Sequence, residues 1–92
     1  MRSGQRVKAR LLDVRRLESQ MGYPRVALVV PRFGFTAVRR NRLKRRLREL
    51  TRQHVLPQPY SYDVVLRARR DAYGVTFGRL RDEITEVATQ LA

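Results

Sequence analysis

Residues 37–54 carry the pattern that most limits what this chain can become. Leu43, Leu47, Leu50 and His54 recur at i, i+4, i+7 and i+11, the spacing of one apolar stripe on an α-helix. The segment is built mainly from Ala, Leu, Arg and Glu, all good helix formers, and Pro57 and Pro59 stop it. On a wheel of about 100° per residue, Asn41, Arg45, Arg48 and Arg52 fall directly opposite the stripe. Arg40 and Lys44 flank one side, and Arg42 and Arg46 the other. Between residues 38 and 54, eight basic residues stand against Glu49 alone. One face is therefore committed to a core while the other is a row of positive charge. Like charges four residues apart repel and destabilise an isolated helix. A polyanion lying along the face would relieve that repulsion, whereas an ordinary solvated face intersperses acids with its bases. Asn41 sits among the arginines, where its amide suits either a base edge or ribose hydroxyl, or backbone groups near the helix end.

The rest of the chain amplifies this reading. Its 92 residues hold 21 Lys+Arg and 8 Asp+Glu, a net charge of +13. Residues 38–54 contribute +7, residues 1–37 contribute +6, and residues 55–92 are neutral. A surface that is merely soluble needs a charge of magnitude about 2–8. The excess points to a polyanion, nucleic acid first and an anionic membrane surface second. Of the basic residues all but Lys8 and Lys44 are Arg, whose planar fork matches phosphate and stacks on bases. A genome rich in G and C also enriches Arg, so position weighs more than identity. The apolar residues that a membrane surface would need are committed to the core.

The absence of cysteine excludes disulfide staples and thiolate metal sites. No apolar run approaches the ~20 residues of a membrane span, and Met1–Gly4 is not followed by an apolar stretch of signal type. A small, soluble, cytoplasmic protein with a single nucleic-acid-binding domain over residues 1–92 is expected.

Val7–Val14 alternates imperfectly and reads as a strand, and Arg15–Tyr23 as a turn. Arg25–Val30 is β-branched and nearly all apolar, so it reads as a buried strand that Pro31 ends. Phe33-Gly34-Phe35 reads as a loop, with Thr36 a candidate helix N-cap. Its two aromatic rings suit core packing or stacking on the bases of a nucleic acid. Tyr62–Ala68 is a third strand with Tyr62, Val64, Leu66 and Ala68 on one face, and Arg69–Gly74 a loop. A second helix over 76–91 sets Phe77, Leu80, Ile84, Val87, Ala88 and Leu91 toward the core and Asp82, Glu83 and Glu86 toward solvent. The order is β-β-α-β-α, an α+β, two-layer α/β sandwich with a small sheet packed against helices.

Protein-borne catalysis is not expected. Metal-dependent hydrolysis needs clustered carboxylates, and here they are scattered. Asp63 has no acidic neighbour in its strand. His54 is the single histidine and falls on the apolar side of its helix, where it caps or packs the helix end. A glycine-rich phosphate loop of the Gly-Lys-Ser/Thr type is missing.

The segment Ala37-Val38-Arg39-Arg40-Asn41-Arg42-Leu43-Lys44-Arg45-Arg46-Leu47-Arg48-Glu49 closely resembles the signature helix of the bacterial ribonuclease P protein component. Arg25–Val30 resembles that family's preceding strand, Tyr62–Arg69 its later strand, and Thr76-Phe77 with Leu80 the start of its last helix. The resemblance implies a sandwich whose motif helix makes a left-handed crossover between parallel strands, a rare handedness, in a fold shared with a domain of a ribosomal protein. It implies a partner, the catalytic ribonuclease P RNA, and a substrate, precursor tRNA, from which the ribonucleoprotein endonuclease removes the 5′ leader. The RNA performs the hydrolysis with magnesium ions; the protein alone holds no cofactor, metal or catalytic residue, and neither membrane nor DNA is a partner. Arg40, Asn41, Arg42, Lys44, Arg45 and Arg48 are then the RNA contacts, joined by Arg39, Arg46 and Arg52 on the helix and Arg32 in the loop before it. The candidates for a cleft holding the single-stranded leader are Lys8, Arg10, Phe33 and Arg67. A structural RNA-binding module, such as a ribosomal protein, is the alternative.

Two departures from the family pattern stand out. Members begin with a basic, aromatic-rich helix before the first strand, and this chain begins essentially at that strand, so half of the leader cleft is expected to be missing. The glycine commonly found two residues before the Ala-Val of the motif is replaced by Phe35, with Gly34 one step earlier.

Overall fold

The strand around Val64 and Leu66 organises the molecule. The computed structural model describes residues 5–59 and 61–91; the Met1–Gly4 stretch lies outside them. The elements are β1 (Gln5–Val7), β2 (Leu12–Glu18), β3 (Arg25–Val29), α1 (Ala37–His54), β4 (Tyr62–Ala68), a 3-10 turn (Arg70–Gly74) and α2 (Phe77–Leu91). The sheet runs β1-β2-β4-β3. β4 pairs antiparallel with β2, with Val14 opposite Leu66, and parallel with β3, with Leu28 opposite Leu66. Parallel neighbours need a crossover, and α1 supplies it.

Alternation along β2 and β4 puts Leu12, Val14, Val64, Leu66 and Ala68 on one face, all buried. Leu43, Leu47 and Leu50 of α1 and Leu80, Ile84, Val87, Ala88 and Leu91 of α2 join them in one core. The expected stripes thus form the contact between layers. Thr51 completes the stripe of α1, buried, with its hydroxyl donating to the Arg48 carbonyl at 3.0 Å. His54 is half-buried at the helix end.

Five expectations need correction. The strand expected over 7–14 is two strands. Leu11 and Leu12 are both buried, which breaks alternation, and the amides of Arg10 and Leu11 donate to the Glu83 carboxylate instead of a ladder. β2 then continues through Glu18, paired with Tyr62, so the turn begins at Ser19 and not Arg15. Glu83 is only 7% exposed and does not face solvent, whereas Phe77, at the first turn of α2, is 38% exposed and not core. Lastly, β3 is an edge strand covered on one face, with Arg25, Ala27 and Val29 exposed.

Candidate nucleic-acid interface

α1 starts at a cap: Thr36 has extended backbone, and its hydroxyl accepts the Arg39 N–H at 3.2 Å. Three buried leucines fix the rotation of the helix. Its outer row then follows, with Asn41, Arg45, Arg48 and Arg52 exposed. Arg39 and Arg42 are exposed as well, while Arg40, Lys44 and Arg46 are half-buried along the flanks. The wheel exposes every one of these side chains, but Arg40 is partly engaged: its Nε donates to the Val30 carbonyl at 2.8 Å, tying the helix to the end of β3.

Glu49 answers only one cation of the row. Arg52 donates to both its oxygens, at 2.6 and 3.2 Å, and Gln53 adds a third bond at 2.9 Å. The hydrogen bond from Arg52, then that from Gln53, holds the Glu49 carboxyl below its usual range, and Glu49 raises Arg52 in turn. Among the described residues, Arg42, Lys44, Arg45, Arg46 and Arg48 form no ion pair. The first turn has no acid to answer the positive end of the helix dipole, so positive potential extends from the outer row to the N-terminus of α1. Between α1 and β3 a groove of about 340 Å³ has Val26, Leu28 and Leu56 among its lining, with Lys44, Arg48 and Arg52 beside them.

The loop before α1 is closed by hydrogen bonds of its own. The Phe35 N–H donates to the Arg32 carbonyl at 2.8 Å, and Arg32 Nε to the Phe35 carbonyl at 3.3 Å. Gly34 has φ +85°, which glycine adopts freely, but Phe33 has φ +52°, which costs a non-glycine residue roughly 1–3 kcal/mol. Phe35 stacks on Tyr73 with ring centroids 4.4 Å apart, and the Arg39 guanidinium lies 4.3 Å from the Phe35 centroid. Tyr73 also donates to the Pro31 carbonyl. Neither Phe33 nor Phe35 enters the main core. Tyr73 and Arg70 hold this loop, and no local pattern marks them as its partners, because the link joins segments about forty residues apart.

The leader-cleft candidates separate. Arg67 is exposed on the sheet face turned away from the helices, between Asp13 and Val29. The same face carries Arg6 opposite Arg15, Arg15 opposite Val65, and Arg25 opposite Asp63. Arg6 and Arg15 are not among the candidates from sequence, because a strand ending at Val14 leaves Arg15 in a turn; alternation along a strand reaching Glu18 finds it. Asp63 is bound by Arg25 through two hydrogen bonds, at 2.7 and 2.8 Å. Lys8 and Arg10 lie in no strand. They are exposed in the β1–β2 link, lining a cavity of about 480 Å³ against Arg79, Asp82 and Glu86 of α2, because Glu83 turns that link toward the helix. Phe33 lies with the loop, past the end of β3. No group of three His, Asp or Glu among the described residues is placed to hold a metal ion.

The arrangement is a helix pinned by its leucines and left cationic outside, beside an open sheet face with arginines of its own. Residues 1–92 match the family described as Ribonuclease P. The chain is 34% identical over 86 residues to the ribonuclease P protein component of Pelotomaculum thermopropionicum, covering 94% of this chain and 77% of the relative. It is 40% identical over 73 residues to that of Syntrophobacter fumaroxidans, covering 77% of this chain and 60% of the relative. Its backbone superposes on the RNase P protein of Thermotoga maritima with a TM-score of 0.84 at 26% identity, covering 97% of this chain and 87% of that one. With a match along its full length and a shared four-stranded architecture, this chain belongs to the ribonuclease P protein family.

Proposed function

We propose that the chain is the protein subunit of ribonuclease P, acting in the cytoplasm with a catalytic RNA to remove the 5′ leader of precursor tRNA. The observation that carries this reading is the outer row of α1, four residues directly opposite a buried stripe and, among the described residues, neutralised only at Arg52. Phosphates laid along Arg45 and Arg48 displace counterions and relieve the repulsion built into the helix. Arg39, Arg40, Arg42, Lys44 and Arg46 extend the contact to both flanks, Asn41 offers an amide to a base edge or ribose, and Arg32 continues the surface into the loop. Arg67, with Arg15 and Arg6, offers the open sheet face to the single-stranded leader. Lys8 and Arg10 face α2 and are left out of that contact. Magnesium and the hydrolytic step belong to the RNA.

The test is reconstitution with the matching catalytic RNA and precursor tRNA at low magnesium. Faster cleavage than with RNA alone is expected. Binding to the RNA without any effect on cleavage would favour a purely structural RNA-binding module, such as a ribosomal protein.

A further inference from the structure

We propose that Phe33 is a stacking platform for an unpaired nucleobase, set at the N-terminal end of α1. The proposal rests on the RNA-binding reading of that helix and adds recognition of single strands to it. Three rings meet in this loop, and two are spent. Phe35 stacks on Tyr73 and has the guanidinium groups of Arg39 and Arg70 over its ring. Tyr73 gives a face to Phe35 and meets Phe33 edge to face, at 87° and 6.3 Å. Phe33 makes only that perpendicular contact among the aromatic residues described, and it is 37% exposed.

Burial does not account for this ring, yet the chain holds it at a cost. Phe33 sits at positive φ, where a bulky side chain is strained. The Arg70 guanidinium grips its carbonyl at 3.2 Å, and the Arg32–Phe35 bonds close the turn around it. Strain held by so many contacts at an exposed residue is a mark of a site. The surroundings select the ligand. Arg32, Arg39 and Arg70 are exposed nearby in the same loop, helix turn and 3-10 turn, and Asp71 is the one acid in those segments. A planar group carrying negative charge fits, and an unpaired nucleotide is such a group: its base covers the ring while its phosphates meet the guanidinium groups. In a duplex the base faces are occupied by their neighbours, so the platform discriminates against it.

The test compares the parent chain with Phe33→Leu and Phe33→Tyr in binding a short single-stranded oligoadenylate, and the same strand paired with oligouridylate. Phe33→Leu is expected to weaken single-strand binding by about 5- to 160-fold, the range for removing one base–aromatic stack, and to leave duplex binding unchanged. Phe33→Tyr keeps the ring and the affinity. Because the chain contains no tryptophan, Phe33→Trp adds a sole indole, and single strand but not duplex should quench it; this decides the matter if Phe33→Leu does not fold. Equal affinity of Phe33→Leu and parent for the single strand, equal losses on both ligands, or an indole blind to the single strand overturns the proposal. If the parent binds neither ligand, the RNA-binding reading of α1 fails first and the platform falls with it.

Discussion

The Glu83 carboxylate sits 2.8 Å from the backbone nitrogen of Leu11 and 3.0 Å from that of Arg10. This one acid on α2 satisfies the two amides that leave the sheet between β1 and β2, and so fixes where β2 begins. Glu83→Ala leaves both donors without their partner and should cost about 2–4 kcal/mol, since a buried unsatisfied polar group costs roughly 1–3 kcal/mol. Glu83→Gln retains an acceptor oxygen and should lose less. Urea unfolding with an unchanged slope measures both; a loss for Glu83→Ala no larger than that of a surface substitution would remove the structural role.

The unpaired arginines of α1 should dominate the salt dependence of RNA binding. Arg45→Ala with Arg48→Ala should flatten the log–log slope by about 0.7–0.9 for each phosphate that is no longer neutralised, with thermal stability unchanged or raised because helix repulsion falls. Arg52→Ala should change the slope less, since Glu49 already shares its charge. Titrations at several salt concentrations decide this, and a larger effect from Arg52 than from Arg48 would relocate the RNA surface.

Where the sequence pattern is periodic, it is sufficient. Leu43, Leu47 and Leu50 fix the rotation of α1, and with it which arginines face outward, without any tertiary information. The alternation in Tyr62–Ala68 likewise places Arg67 opposite Val64. Long-range polar contacts are the blind spot. Glu83 lies three residues from Leu80 and one from Ile84, on the core side of the wheel, and that position is the available signal of a buried acid. What no local pattern holds is its partner, a pair of amides more than seventy residues away. The same is true of the loop before α1: Phe33 and Phe35 are ambiguous until Tyr73 and Arg70 arrive from the far side of β4.

Asp63 and Arg25 set a pH dependence whose sign follows from their geometry. The hydrogen bond from Arg25 is the main reason the Asp63 carboxyl lies below its ordinary range. Protonation is thus harder in the folded chain than in the unfolded one. The contribution of the pair is complete above the ordinary aspartate range and disappears as pH falls through the depressed folded value. Both side chains are partly exposed, so the effect is small and salt-sensitive. Asp63→Asn should melt below the parent at neutral pH, and the two melting curves should converge on acidification. A gap that stays constant through the acid range would mean that the carboxylate charge is irrelevant.

The two sets of leader candidates make opposite predictions. Arg15 and Arg67 share the open sheet face, while Lys8 and Arg10 look toward the acids of α2. If the leader lies on the sheet, the reconstituted complex should bind a leader-bearing precursor with a steeper salt dependence than a leaderless tRNA. Arg15→Ala with Arg67→Ala should then remove part of that difference, by about 0.7 in slope for each single-strand phosphate released. Lys8→Ala with Arg10→Ala should leave the difference intact, because Asp82 and Glu86 already face those cations across the cavity. The Glu83 bonds run to the backbone of Arg10 and Leu11, so these substitutions also leave the β1–β2 link in place. Loss of the leader effect in the Lys8 and Arg10 variant, with Arg15 and Arg67 dispensable, would move the leader off the sheet and onto the groove beside α2.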